Sequence, residues 1–563
     1  MNVLYTYREN FRRHPWVRTV TWVLLLLVVF GLTTVIGINV KKTPEIFNIN
    51  PPVGAPGDVM VISGENFGNT RNSSYVEIAG SRLTASGYLY WSDSQIKVLL
   101  PSNVQDGLVV VGTSAGRSKP GFFANEAGIP VAVRSDAQTS MPRIASVSPE
   151  TATIGQTVTI MGVNFGSVRG TSKVFFAANR DDIIVEDHGV KSAFVAAHER
   201  DFDYEFWSDT EIRVRVPDGA ASGPLLIETE KGTSQATQTA LTVHQVGSKK
   251  YGRKRTYVIQ VNADIANAVS SQDASIILYV PRPVRSAMQP MVDLTECQPE
   301  PFSKDDPSVV IHQRPLRDFA RTKQRFMQNF VVDVYSVTSL LSATDVERFH
   351  DTSRLLYTTA TMTDFCVPAN NMTITNLRDT ILQRERNPYT QAKLFYNYMI
   401  AAYKLRNSVR TGNVSVLDLI SKKTGDAYDF AILFTALCRS AGIPALPVSG
   451  ILVENNSTSR SHWWTEIYFE GFGWFPVDVA LGAGLQFKRF APVENPASFY
   501  FGNLDGQHVA FSRGWNQLRP VMVNSKVVYR PRTYALQSIW EEASSGASSY
   551  SSLWNEPVVS GIY

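Results

Sequence analysis

Cysteine is nearly absent from this chain, with 3 residues in 563. That excludes a disulfide-scaffold protein and any multi-cysteine zinc or iron–sulfur site. Histidine is also scarce: 8 residues, with no H-x-x-x-H or H-E-x-x-H pair. No metal site and no cofactor are expected on that ground. Excess charge of either sign is missing too, with Lys+Arg 54 against Asp+Glu 50 and a net +4. So even a balance argues against nucleic acid as the partner. What the chain does have is apolar content, 44% hydrophobic against 18% charged. That excludes a wholly disordered chain. At roughly 150 residues per domain, the length implies about three or four domains.

One long uncharged run stands near the start. Thr19 to Val40 reads TVTWVLLLLVVFGLTTVIGINV. As a helix it would span about 33 Å, enough for a hydrocarbon core. Arg8, Arg12, Arg13 and Arg18 precede it; Lys41 and Lys42 follow. The bias places residues 1–18 in the cytoplasm and the rest beyond an inner or plasma membrane, in the periplasm or outside the cell. A cleaved signal peptide would need a shorter core and an A-x-A-like site. A single-pass anchor over 19–40 is the expectation.

The clearest organisational signal is an internal repeat. PEIFNINPPVGAPGDVMVISGENFG (44–68) returns as PRIASVSPETATIGQTVTIMGVNFG (142–166). YWSDSQIKVLLPSNVQDGLVVVGTSAG (90–116) returns as FWSDTEIRVRVPDGAASGPLLIETEKG (206–232). The second copy carries 18 extra residues, placed near 180–205. Short alternating strands such as VMVISG and IRVRVP predict two small β-sandwiches. In the G-x-N-F-G turn, Asn and Gly tolerate positive φ and Phe can plug the sandwich end. Trp91 and Trp207, at equivalent positions, read as packing residues. The insertion gathers Asp187, His188, His198, Glu199, Arg200, Asp201 and Asp203. A solvated loop is the expected reading, against a partner site. The doubled pattern resembles the IPT/TIG family over 43–124 and 141–245. That resemblance implies immunoglobulin-like domains with a spacer or protein-binding role and no catalysis.

Beyond the linker GSKKYGRKR, residues 255–370 form a β-rich segment with strands at TYVIQV, SIILYVP and NFVVDVYSV. Cys297 and Cys366 lie in it and are a candidate disulfide pair outside the cytoplasm. Residues 389–404 show helical spacing after an Asn387-Pro388 start signal. The last stretch, 540–563, is Ser- and Gly-rich and reads as a flexible tail.

Residues 425–445, GDAYDFAILFTALCRSAGIPA, predict a helix ended by Gly442 and Pro444. The strands LPVSGILV and SHWWTEIYFEGFGWFPVDVALGAG follow. This order, with H-W-W-T-E-I-Y and G-F-G-W-F-P-V-D, resembles the transglutaminase-like superfamily of papain-type fold, over about 375–485 and on to 515. The resemblance implies an α+β domain with a Cys-His-Asp triad. There the cysteine at a helix start is activated by unpaired amides and the dipole, histidine takes its proton, and aspartate orients the histidine. Carried over by motif, the histidine falls on His462 and the aspartate on Asp478, 16 residues on. The cysteine position falls on Ala427. A methyl group cannot attack a carbonyl. Cys438, about 16 Å further along the helix, sits on its apolar stripe.

The chain is thus a multidomain protein: a transmembrane helix, two all-β immunoglobulin-like sandwiches, a β-rich segment and a degenerate transglutaminase-like module. Its leading reading is a membrane-anchored binding or scaffolding protein. The cleft would hold an envelope protein or peptide without cutting it, with Trp463, Trp464 and Trp474 either gripping that chain or packing in the core. Two alternatives stand beside it. One is an active transglutaminase or cysteine amidase in which Ala replaces Cys at 427. The other is a structural subunit of an envelope assembly that forms homo-oligomers.

Overall fold

The computed structural model describes residues 15–16, 19–23, 27–28, 42–101, 104–125, 141–178, 185–187, 190–237, 240–271, 273–412 and 415–563. Most of the expected span at Thr19–Val40 lies outside them. Among the described residues no helix is long and apolar enough to cross a membrane. The chain divides into two compact units, Met1–Thr139 and Ser140–Tyr563.

The first unit holds a sandwich. One sheet orders Glu45–Asn50, Val59–Glu65, Gln95–Leu99 and Tyr88–Trp91; the other is built around Gly107–Thr113, Gly121–Asn125 and Tyr75–Ile78. Alternation along each strand turns Met60, Ile62, Ile96, Val98, Val109 and Val111 into a shared core. The G-x-N-F-G turn does what its residues predict. Asn66 has φ 61° and Gly68 φ 87°, and Phe67 is buried. Trp91 packs against the core and donates from Nε1 to the Phe67 and Gly68 carbonyls, at 3.2 and 3.0 Å.

The second unit opens with the second copy of this sandwich. Asn164 has φ 64°, Phe165 is buried, and Trp207 Nε1 donates to the Phe165 carbonyl at 3.1 Å. Part of the insertion adds a strand, Val190–Ala196, to the edge beside Lys173–Ala178, and then a turn at Glu199–Asp201. His188 and the Asp187 side chain lie outside the description. Glu199 is exposed, as in a solvated loop, but Asp201 and Asp203 correct that expectation. Asp203 is buried, and Asp201 accepts from Arg513 Nη1 at 3.0 Å, which joins the sandwich to the C-terminal half of the unit.

Two long strands, Ser248–Ser270 and Gln324–Leu340, pair antiparallel and anchor the β-rich part. The C-terminal residues come back to it. Ala547–Trp554 and Val558–Ile562 both pair with Ser248–Ser270, and Glu541–Ala543 pairs with Ser275–Pro281. The expectation of a flexible tail at 540–563 is therefore wrong. Burial alternates along the edge strand from Ser549 to Trp554 despite its serines, while Trp554 packs edge-on to Trp540 at 4.9 Å and donates from Nε1 to Glu541. Composition hid a period-two strand.

The helices Met372–Leu382, Pro388–Ala402 and Ala427–Ser440 pack against one another. The last packs on a four-stranded antiparallel sheet ordered Gly473–Val477, Ser459–Phe469, Ala445–Val453, His508–Arg513. Thr435 Oγ1 meets Thr465 Oγ1 across that interface at 3.0 Å. Every residue of Ser461–Phe469 is buried, because the sheet is covered on both faces.

Candidate functional site

The site begins at the start of the Ala427–Ser440 helix. Asp426 is its N-cap, and its side chain and that of Asp429 cap each other's backbone N–H groups, at 3.1 and 3.0 Å. This capping box fixes where the helix begins. Ala427 is the first helical residue, where N–H groups lack helical partners. Two arginines from elsewhere neutralise the buried acids. Arg532 reaches both oxygens of Asp426 and Oδ1 of Asp429, at 2.9, 3.0 and 2.7 Å; Arg410 reaches Asp429 at 2.6 Å. Burial, and then the Asp429 charge, push the Asp426 carboxyl above its usual range against these cations.

A cavity of about 270 Å³ opens beside Ala427. His462, Arg460, Arg532, Asn407 and Glu556 line it with Ala427. His462 lies on Ser459–Phe469 and Asp478 caps the short Val479–Gly482 helix through Oδ1, 2.8 Å from Leu481 N. The other oxygen, Oδ2, contacts His462 Nε2 at 2.6 Å. With Nε2 committed, Nδ1 is the nitrogen left for the cavity. His508, on His508–Arg513, contacts the same Oδ2 through Nε2 at 3.0 Å and Asp505 through Nδ1 at 3.2 Å. Trp464 stacks on the His462 ring and meets His508 edge-on.

Burial and hydrogen bonding divide the charge in this cluster. Burial lowers the His462 pKa and outweighs Asp478. Burial also works against charge on His508, yet bonds to Asp478 and Asp505 push it up to about 9. Burial opposes ionisation of Asp478, but His462 and His508 hold its carboxyl well below the usual carboxylate range. Burial thus disfavours charge on His462, while its two carboxylate partners favour charge on His508.

Residues 375–479 match the transglutaminase-like superfamily model, and 44–124 and 142–244 match the IPT/TIG domain model. The chain carries a transglutaminase-like domain and two IPT/TIG domains. It is similar, at 29% identity over 163 residues, to an uncharacterized protein of Haemophilus influenzae, covering 24% of this chain and 44% of that one. A cyclomaltodextrin glucanotransferase of Paenibacillus macerans is 31% identical over 85 residues, 15% of this chain and 12% of its own. The chain spans less than half the length of these curated relatives. Among solved structures, a putative cysteine protease from Cytophaga hutchinsonii has 13% identity and TM-score 0.35, covering 56% of this chain and 91% of that one. The periplasmic domain of TgpA from Pseudomonas aeruginosa has 12% identity and TM-score 0.24, covering 41% and 88%.

The transglutaminase-like domain brings Ala427 and His462 to one cavity and Asp478 to His462, as the motif spacing implies. It does not offer the tryptophans as grips. Trp463, Trp464 and Trp474 are 1%, 1% and 5% exposed and belong to the interior. Nor does it join Cys297 to Cys366: all three cysteines are free. Cys297 sits near His312, Sγ to Nε2 3.8 Å, while Cys366 is buried before the Met372–Leu382 helix. Burial pushes the Cys366 and Cys438 thiols well up, so both are poor nucleophiles. Sequence reading missed His508, Asp505, Arg410 and Arg532. His462, Asp478 and His508 bring three donor atoms within 4.8 Å of one another. Here those atoms are engaged in hydrogen bonds to one another.

Proposed function

We propose that this chain is a membrane-anchored, extracytoplasmic binding or scaffolding protein whose transglutaminase-like cleft holds an envelope protein or peptide without cutting it. The observation that carries this reading is Ala427. It occupies the first residue of the helix and lines the cavity with His462, where a nucleophile would have to stand. Losing the nucleophile of such a triad costs roughly 10⁴–10⁶ in rate. Cys438, on the same helix, is fully buried and 11 residues away. The cavity keeps polar groups suited to a peptide: Asn407, Arg460 and the free nitrogen of His462. The uncharged run at 19–40 supports the anchor.

The test is retention of biotinylated envelope-derived and cell-wall stem peptides by the full chain, compared with His462→Ala and Arg460→Ala. Retention by the native chain that falls in both variants supports cleft binding. Equal recovery from all three contradicts it.

The intact His462–Asp478 contact favours a second reading, in which the same cleft serves a cysteine at 427. Sequencing codon 427 in the source DNA separates the two.

A further inference from the structure

Two histidines compete for one oxygen. Asp478 Oδ1 is taken by Leu481 N–H, so Oδ2 alone receives His462 at 2.6 Å and His508 at 3.0 Å. The rings stand 5.6 Å apart. His508 has a second carboxylate on its far side, Asp505, 3.2 Å from Nδ1. Asp505 is itself held by the Tyr500 hydroxyl at 2.7 Å and Gln507 N–H at 3.1 Å, and Arg489 Nε donates to Tyr500 at 3.0 Å. A histidine with a carboxylate at each ring nitrogen must donate from both, which only the imidazolium does. A histidine with a carboxylate at one nitrogen donates there and keeps the other as an acceptor.

We propose that His508 is a positioning residue: fixed as the cation between Asp478 and Asp505, it takes up the charge of Asp478 and leaves His462 as the neutral ring facing Ala427. The other groups around the pair are consistent with this division. Arg460, on the His462 strand, also disfavours charge on His462. Tyr396, from the Pro388–Ala402 helix, faces Asp478 as an un-ionised phenol. Arg532, Asp426 and Glu556 border the cavity and not the shared oxygen. The inference concerns the same cleft as the proposed function but holds whatever that cleft binds.

Its consequence is a second safeguard against catalysis. A carboxylate already claimed by one cation supports a second imidazolium poorly. A thiol placed at 427 would therefore find a weak base in His462 until His508 is removed.

The first test is ¹⁵N-histidine spectroscopy of the unaltered full chain. One imidazolium should persist through neutral pH, titrate near 9, and vanish in His508→Gln, while His462 stays neutral. The second is iodoacetamide alkylation of the Ala427→Cys chain across pH. Adding His508→Gln should lower the thiol's midpoint by about one pH unit and speed alkylation near pH 6.5 about tenfold. Asp505→Asn, which keeps the ring but removes its far partner, should move both in the same direction and serves if His508→Gln fails to fold. A neutral His508 at pH 7, a doubly protonated His462, or a profile that neither variant moves would overturn the proposal.

Discussion

Arg532 clasps Asp426 with one guanidinium nitrogen, 2.9 Å from Oδ1 and 3.0 Å from Oδ2, across 106 residues of sequence. Its other terminal nitrogen reaches Asp429 at 2.7 Å. All three side chains are almost wholly buried. The contact ties the last part of the chain to the helix start that carries Ala427. Breaking a buried pair strands a charge, at roughly 3–5 kcal/mol. Arg532→Met should lose stability on that scale in urea unfolding. Arg532→Lys should recover little of it, since one ammonium cannot bridge both acids with this geometry.

Trp464 should behave as a core residue. It is buried against His462 and His508. Trp464→Ala is expected to cost roughly 3–5 kcal/mol, read as a fall in urea midpoint. Arg460→Ala, at the cavity wall, should leave the midpoint nearly unchanged and act on ligand retention instead.

The parts of this molecule legible in sequence are those written in local order. The doubled G-x-N-F-G turn placed Phe67 and Phe165 as plugs and Asn66 and Asn164 at positive φ, and both pairs are so. The 16-residue step from His462 to Asp478 spans adjacent strands and closes to 2.6 Å. What distant strands contribute had no local signature. His508 arrives on the fourth strand of the sheet, and Arg532 from a loop beyond it with φ 55°. Trp463 and Trp464 misled because alternate residues of a strand ordinarily divide between core and solvent. In this strand both faces are covered.

The C-terminal strands should prove structural. Residues 547–562 extend the sheet along Ser248–Ser270, and Glu556 reaches the cavity wall, where Ser461 Oγ donates to it at 2.7 Å. Truncation after Gly546 is expected to lower the thermal midpoint by several degrees and to expose Trp540 fluorescence to quenching. An unchanged midpoint would mean the strands contribute nothing.

The histidine cluster gives stability a pH dependence of defined sign. His508 titrates at about 9 when folded, against about 6.5 when free. Its contribution is therefore complete below about pH 6.5 and lost as pH rises through 9, on the order of 3 kcal/mol. Asp478, depressed when folded, contributes above the free carboxylate range and loses this as pH falls below about 4. Unfolding free energy measured from pH 6 to 10 should decline on the alkaline side, and the decline should flatten in His508→Gln.

The most direct measurement is the intact mass of the full chain after incubation with an activated ester as acyl donor. The account predicts no acyl adduct in the cleft of the native chain, because Ala427 offers no nucleophile beside His462. It predicts a slow adduct at position 427 in Ala427→Cys and a faster one when His508→Gln is added. Acylation of the native cleft, or no adduct even in the Ala427→Cys chain that also carries His508→Gln, would contradict it.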